Sequence, residues 1–273
     1  MTVTRFAPSP TGNLHLGHAY SALYSERVAR EEGGKFLLRI EDIDGTRCRS
    51  EYIQNIYDDI EWLGVVWDDE VIVQSNRLKF YVTKAEILEQ RGLLYPCFCT
   101  RKELANINGK ELNREKRLYP KTCLRLTNEQ VAEKKSQGVP FSLRLNSNKA
   151  KEETGKIFWN DQTTGRHEVN YDALGDVVLV RKDIGTSYHM AVTIDDDFQD
   201  VNCVTRGLDL VESTHVHRIL QSLLGLQVPE WSHHKLIKGS DGNKYSKSNQ
   251  SLTLKELRES GVSGAEIRKE LGF

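Results

Sequence analysis

The chain opens on a short apolar run, Val3–Ala7, which Pro8, Pro10 and Gly12 break into a loop. From Leu16 the apolar residues Ala19, Leu23 and Val28 recur near helical spacing until Gly33-Gly34 stops the pattern. Lys35–Ile40 (KFLLRI) is a second run of strand length and ends in the acidic stretch Glu41-Asp42-Ile43-Asp44. Helical patterns follow over 50–63 and 77–91. Strands that alternate with helices pack as a parallel sheet covered on both faces, so the pattern predicts an α/β, doubly wound core.

From about Leu94 to Asn170 the character changes. A Cys-Phe-Cys triplet and a short charged helix from Arg101 precede β-like stretches at 141–145, 156–159 and 167–170. This reads as an α+β insertion between two halves of the sheet. The α/β pattern resumes with Asp176–Arg181 (DVVLVR), continues through Val201–Thr205 and leads to a helix near Thr214–Leu224. A loop rich in Gly, Asp, Asn, Lys and Ser, Lys238–Gln250, is followed by one terminal helical stretch. The expected organisation is residues 1–93 as the first half of the core, 94–175 as the inserted subdomain and 176–273 as the second half.

With 273 residues the chain can bury one large α/β core with a small insertion. No apolar run approaches the roughly 18–20 residues that cross a bilayer, so a cytoplasmic protein without membrane contact is expected. Lys plus Arg (38) nearly cancel Asp plus Glu (39). Phosphate neutralisation dominates nucleic-acid affinity, so an RNA partner would have to be met by a local patch. Arg101, Lys102, Lys110, Arg114, Lys116 and Arg117 are one candidate, although they read more simply as a solvated helix face. Five cysteines, an odd number, argue against a disulfide framework, and three of them cluster at Cys97, Cys99 and Cys123.

Two motifs carry the chemistry. His15-Leu16-Gly17-His18 sits at the predicted start of the first helix, where unpaired N–H groups and partial positive charge attract phosphate oxygens. Gly17 lets a base or ribose approach the backbone, and two imidazoles there can donate to an α-phosphate as charge builds on it. Taken alone, the pair fits helix-capping histidines equally well. Lys244-Tyr245-Ser246-Lys247-Ser248 lies in the glycine-containing loop, and taken alone it reads as a solvated surface loop. Such a loop can also close over a triphosphate, with its lysines stabilising the departing pyrophosphate. The competing phosphate signatures GxxxxGK[ST] and GxGxxG are absent.

Together the two motifs resemble the HIGH and KMSKS signatures of class I aminoacyl-tRNA synthetases, whose nucleotide lies across a Rossmann-like sheet. Arg5-Phe6-Ala7-Pro8-Ser9-Pro10-Thr11-Gly12, RIEDID at Arg39–Asp44, Ile194–Gln199 and Thr205-Arg206-Gly207 are similar to the glutamate branch of that class. The resemblance implies His15, His18, Lys244 and Lys247 as catalytic residues, with His15, Gly17, His18 and Lys247 binding Mg2+-ATP. It implies Arg5 and Arg206 as contacts to the carboxylates of L-glutamate and Glu41 as the contact to its ammonium. Phe6, Ala7, Pro8, Ser9 and Tyr188 would shape that pocket. Arginine suits a carboxylate because its planar fork donates two parallel hydrogen bonds. Which arginine holds which carboxylate stays open.

The CxC…YxxxC pattern of Cys97, Cys99, Tyr119 and Cys123 offers three soft sulfurs, a set suited to tetrahedral Zn2+. The alternative is three reduced cysteines packed together. Tyrosine as fourth ligand is implied by the resemblance, and the expected role is structural. Only about 25 residues follow Ser248, too few for the helical region with which glutamate-charging synthetases read the anticodon. A stand-alone core of this kind resembles the truncated paralogues of the branch. These activate glutamate without tRNA and transfer it to queuosine in the anticodon loop of tRNA(Asp). The alternative acceptor is the 3′ end of tRNA(Glu), and the chain is expected to act as a monomer.

Overall fold

The computed structural model describes residues 1–107, 118–237 and 252–273. Three strands form a parallel sheet in the order β1 (Val3–Phe6), β2 (Lys35–Ile40), β3 (Ile72–Val73). Helix α1 (Leu16–Glu31) crosses from β1 to β2, and α2 (Ser50–Trp62) from β2 to β3. Side chains alternate across a strand, and β2 uses both faces. Phe36, Leu38 and Ile40 pack with Leu23 of α1 and with Ile56 and Ile60 of α2. Leu37 joins the opposite core, and Arg39 beside it is fully buried.

Helix α3 (Leu78–Gln90) leads to a separate antiparallel sheet, and β4 (Leu94–Cys97) is its first strand. Helix α4 (Arg101–Ile107) and, after the undescribed residues, α5 (Asn128–Ser136) precede β5 (Ser142–Leu145), which pairs with β4. Helix α6 (Ser147–Thr154) is followed by the hairpin β6 (Phe158–Asp161) and β7 (Gly165–Glu168). The short α7 (Tyr171–Leu174) precedes β8 (Val178–Val180). Then come α8 (Tyr188–Phe198), β9 (Cys203–Gly207), α9 (Val211–Leu224) and β10 (Glu230–His234). Strands β9, β10 and β6 run parallel. Strand β9 also lies against β1: the Asn202 backbone N–H donates to the Val3 carbonyl (3.2 Å) and the Arg5 side chain, through Nη1, to the Thr205 carbonyl (3.0 Å). These contacts set β9 beside β1, so the three-stranded parallel sheet abuts the parallel strands β9, β10 and β6 of the four-stranded one.

Three features differ from the pattern-based expectation. The run at 176–181, read as the return to the parallel core, supplies β8, which pairs antiparallel with β5. The run at 156–159, read as part of the insertion, becomes β6 and joins the parallel layer beside β10. Trp159 of β6 and Trp231 of β10, both fully buried with ring centroids 5.8 Å apart, hold that edge. A three- or four-residue apolar run carries no local information about its partner strand; packing chooses it. The single terminal helix is two, α10 (Leu254–Glu259) and α11 (Gly264–Leu271), separated where Gly261 adopts φ +88° and Ser263 caps the next helix. No helix among the described residues is long and apolar enough to cross a membrane.

Candidate active site

Open α/β sheets bind ligands outside the carboxyl ends of their strands, where the order of connection switches. Here that point lies between β1 and β9, and a cleft of about 560 Å³ opens there. Arg5, Phe6, Ala7, Pro8 and Ser9 line it from the end of β1, Glu41 from the end of β2, Arg206 from β9 and Tyr188 from the start of α8. His15, Gly17 and His18 line it from α1. The Glu41 backbone N–H donates to the Pro8 carbonyl (3.0 Å), which ties the two strand ends together.

Behind these residues lies a buried ladder of charge. Asp196 accepts from Arg5 Nε (2.9 Å) and Nη2 (3.3 Å) and from Arg39 Nη1 (2.8 Å). Arg39 also donates to Glu41 Oε1 (3.2 Å) and to Gln199 (2.9 Å). Burial alone would raise the Asp196 carboxyl, but Arg5 and Arg39 outweigh it and hold the group below the usual carboxylate range. For Glu41 the balance falls the other way, and burial pushes it up against the pull of Arg39 and Arg5. With the Thr205 carbonyl included, Arg5 uses three N–H groups on the protein. A guanidinium has five, so one remains on each terminal nitrogen.

Arg206 is built differently. It is buried, yet no carboxylate among the described residues lies within ion-pair distance of it. Its partners are neutral acceptors: His233 Nε2 (3.2 Å), His217 Nδ1 (3.2 Å), the Thr214 hydroxyl and, at 3.5 Å, the Tyr188 hydroxyl. Burial pushes its pKa down and outweighs the opposing pull of Tyr188 and of Asp196, which lies beyond ion-pair distance. One cleft thus presents a buried acid with a raised pKa, a compensated arginine and an uncompensated one. A ligand carrying both an ammonium and carboxylate groups matches that set.

The histidine pair does cap the helix. His15 is the N-cap residue; its Nδ1 accepts from Gly17 N–H (3.1 Å), and its own N–H donates to His18 Nδ1 (3.2 Å). A neutral imidazole that accepts at Nδ1 carries its proton on Nε2. Capping therefore presets both rings as Nε2–H donors at a helix N-terminus, so it complements rather than competes with anion binding. Lys244 and Lys247 lie outside the described residues, as do Tyr245, Ser246 and Ser248. The flanking residues both reach the site: Leu236 and Ile237 line the cleft, and Thr253 forms a backbone bridge with His15.

The cysteines form a second centre between β4 and α5. The sulfurs of Cys97, Cys99 and Cys123 lie within 4.8 Å of one another, with Cys99 and Cys123 3.6 Å apart. The Tyr119 hydroxyl is 3.4 Å from Cys97 Sγ and 3.6 Å from Cys99 Sγ. Tetrahedral zinc with bonds of about 2.3 Å to sulfur and 2.0 Å to oxygen separates its ligands by roughly 3.5–3.8 Å, so the donor set fits a metal. The Arg144 guanidinium sits 3.8 Å from the Tyr119 ring centroid. Burial alone would raise the Cys97 thiol, but hydrogen bonds from Tyr119 and Arg144 hold it below its ordinary value, whereas burial pushes the Cys99 thiol up to about 11. Of the proposed basic patch, Arg101 and Lys102 are exposed on α4; Lys110, Arg114, Lys116 and Arg117 lie outside the described residues.

Sequence reasoning missed His234, whose Nε2 lies 3.0 Å from Ser21 Oγ on the cleft wall, and the histidines behind Arg206. It gave no role to Asp196. Asp196 lies in the Ile194–Gln199 stretch that carries the family resemblance, whereas the histidines sit in no phosphate-binding signature and spacing held no signal for them.

Comparison with known proteins gives a consistent result. The family tRNA synthetases class I (E and Q), catalytic domain, is matched over residues 1–271. A protein of Rhodobacter capsulatus named Glutamyl-Q tRNA(Asp) synthetase is 42% identical over 99% of this chain and 100% of its own. A Glutamate–tRNA ligase of Coprothermobacter proteolyticus is 39% identical over 94% of this chain and 55% of its own. A crystal structure of a glutamate tRNA ligase from Elizabethkingia meningosepticum, in complex with its amino acid, matches with a TM-score of 0.76 at 31% identity. That match covers 95% of this chain and 53% of the other, so the chain spans about half the length of the glutamate–tRNA ligases it matches.

Proposed function

Since the chain belongs to the catalytic-domain family of the class I synthetases for glutamate and glutamine, and is a class I synthetase-like ligase, we propose that it activates L-glutamate with Mg2+-ATP and transfers it to queuosine in tRNA(Asp). The observation that carries the amino acid is Arg206, a buried cation without an acid partner, sharing a cleft with Glu41 and Arg5. Glu41 receives the substrate ammonium; the charge it meets there offsets the burial that raises its pKa. Arg206 and the remaining N–H groups of Arg5 receive the carboxylates, and Tyr188 with residues 6–9 closes the pocket. The acceptor rests on the Rhodobacter capsulatus relative, which matches from end to end.

In the first step an oxygen of the α-carboxylate bonds to the α-phosphorus, and the bond from that phosphorus to the bridging oxygen breaks, releasing pyrophosphate. The Nε2–H groups of His15 and His18, with Lys247, stabilise the charge that develops, and Lys244 orients the loop. In the second step a hydroxyl of the cyclopentenediol attacks the acyl carbon and AMP leaves, its phosphate accepting the proton. The antiparallel sheet with its cysteine cluster forms the acceptor subdomain.

The test is to incubate the protein with ATP, labelled glutamate and total tRNA from cells with and without queuosine. Label is expected on tRNA(Asp) and is expected to vanish without queuosine. Label on tRNA(Glu) would instead establish the 3′-terminal adenosine as acceptor.

Zinc held by Cys97, Cys99, Tyr119 and Cys123 belongs to the same reading, as a structural staple. Elemental analysis is expected to find one zinc per chain, lost in Cys123→Ser. The variant should melt about 4–5 °C lower, the shift for roughly 2–3 kcal/mol in a chain of this size. An unchanged melting temperature with no zinc in either protein refutes the site.

A further inference from the structure

Behind Arg206 lies a buried chain of groups with no place in the chemistry above. His233 on β10 places Nδ1 2.7 Å from Asp161 Oδ2 on β6, and Nε2 3.2 Å from Arg206 Nε. His217 on α9 places Nδ1 3.2 Å from Arg206 Nη1, and Nε2 3.2 Å from His189 Nδ1. Arginine can only donate, so both ring nitrogens facing it must accept. That assigns the tautomers: His233 carries its proton on Nδ1 and donates to Asp161, while His217 carries it on Nε2 and donates to His189. Asp161, His217 and His233 are buried and do not line the cleft. Any effect they have on a ligand passes through Arg206.

The contrast with Arg5 gives this arrangement meaning. Arg5 is oriented by a carboxylate, Asp196, which also takes up its charge. Arg206 is oriented just as firmly, but by lone pairs that carry no charge. Burial keeps these rings neutral, with His189 and His233 held at about 4 and His217 lowered well below its ordinary value. A carboxylate in either position would orient the guanidinium and also occupy it electrostatically, competing with any anionic ligand.

We infer that Asp161, His233 and His217 are positioning residues that fix the Arg206 guanidinium while leaving its charge uncompensated for the carboxylate of the amino-acid substrate. The inference rests on the proposed glutamate site. Asp161 is the remote control of this device. Its Oδ1 accepts from Thr163 N–H (2.9 Å), Thr164 N–H (2.9 Å) and the Thr164 hydroxyl (3.2 Å). In Asp161→Asn those three donors outnumber the one that Oδ2 accepts besides the imidazole, the His233 backbone N–H (3.1 Å), so they pin the amide oxygen and turn the NH2 toward His233. The NH2 donates to Nδ1, the ring proton moves to Nε2, and an N–H then points at Arg206.

The test measures glutamate-dependent ATP–pyrophosphate exchange in the wild type and three variants, alongside their unfolding transitions. Asp161→Asn and His217→Glu are each expected to raise KM for glutamate about ten- to a hundredfold, the range for a disturbed hydrogen bond to a charged group. KM for ATP and kcat should change less than about threefold, which a general loss of structure would not produce. His217→Gln keeps a neutral acceptor and should recover KM to within about threefold. If wild type exchanges and His217→Glu matches His217→Gln in KM, the inference is overturned and the glutamate site stands. If wild type shows no exchange with glutamate, the proposed function fails and this inference falls with it. Should Asp161→Asn not fold, the two His217 variants decide the matter.

Discussion

Asp196→Ala is expected to lose on the order of 3–5 kcal/mol of stability, the cost of stranding buried charge by removing one partner. Asp196 is the shared counter-charge of two buried arginines, accepting from Arg5 at 2.9 Å and from Arg39 at 2.8 Å. Without it Arg39 keeps Glu41 and Gln199, but Arg5 keeps only the Thr205 carbonyl. The Arg39 Nε already has no partner, so that side chain has no spare compensation. Urea unfolding at neutral pH measures the loss, and a value below about 1 kcal/mol contradicts the account. The pH dependence gives a second reading. Because Asp196 is held below its ordinary pKa, its contribution is complete above the unfolded value and disappears as the pH falls through the folded one. Stability of the variant should accordingly fall less steeply than that of wild type over the acidic range.

Arg206→Leu separates binding from folding in the opposite way. KM for glutamate is expected to rise by about 10²–10³-fold, the range for deleting one partner of a desolvated ionic contact. KM for ATP should stay within a few-fold, because the HLGH segment on α1 is untouched. Stability should move by no more than about 1–2 kcal/mol. Removing a buried cation that lacks an acid partner relieves its desolvation cost, and this offsets the donors withdrawn from His217 and His233. Exchange kinetics with chemical unfolding distinguish the outcomes. A variant that binds glutamate normally but unfolds easily makes Arg206 a structural residue.

Much of this molecule was legible in one dimension. The first half of the core followed from helical spacing and apolar runs: KFLLRI, a run of strand length, became β2 with both faces buried. The motif residues at strand and helix ends, Arg5, Glu41, His15, His18 and Arg206, do line one cleft. Strand pairing was not legible for the short runs. DVVLVR and the stretch around Trp159 exchanged sheets relative to expectation, because three to five apolar residues fit any half-buried edge and the partner is chosen by long-range packing.

By itself the sequence determined which residues stand at the ends of strands and helices, because local period and turn chemistry set those boundaries. It thereby determined the chemical types available to the cleft and to the cysteine centre. The tertiary structure alone decided how each charge is partnered. Arg5 and Arg206 are the same residue type, each near the end of a buried strand, yet one is neutralised by Asp196 and the other is held by neutral histidines from α9 and β10. Compensation depends on which groups 11 to 191 residues away arrive within about 3 Å. Distances of that kind exist only after the chain has packed.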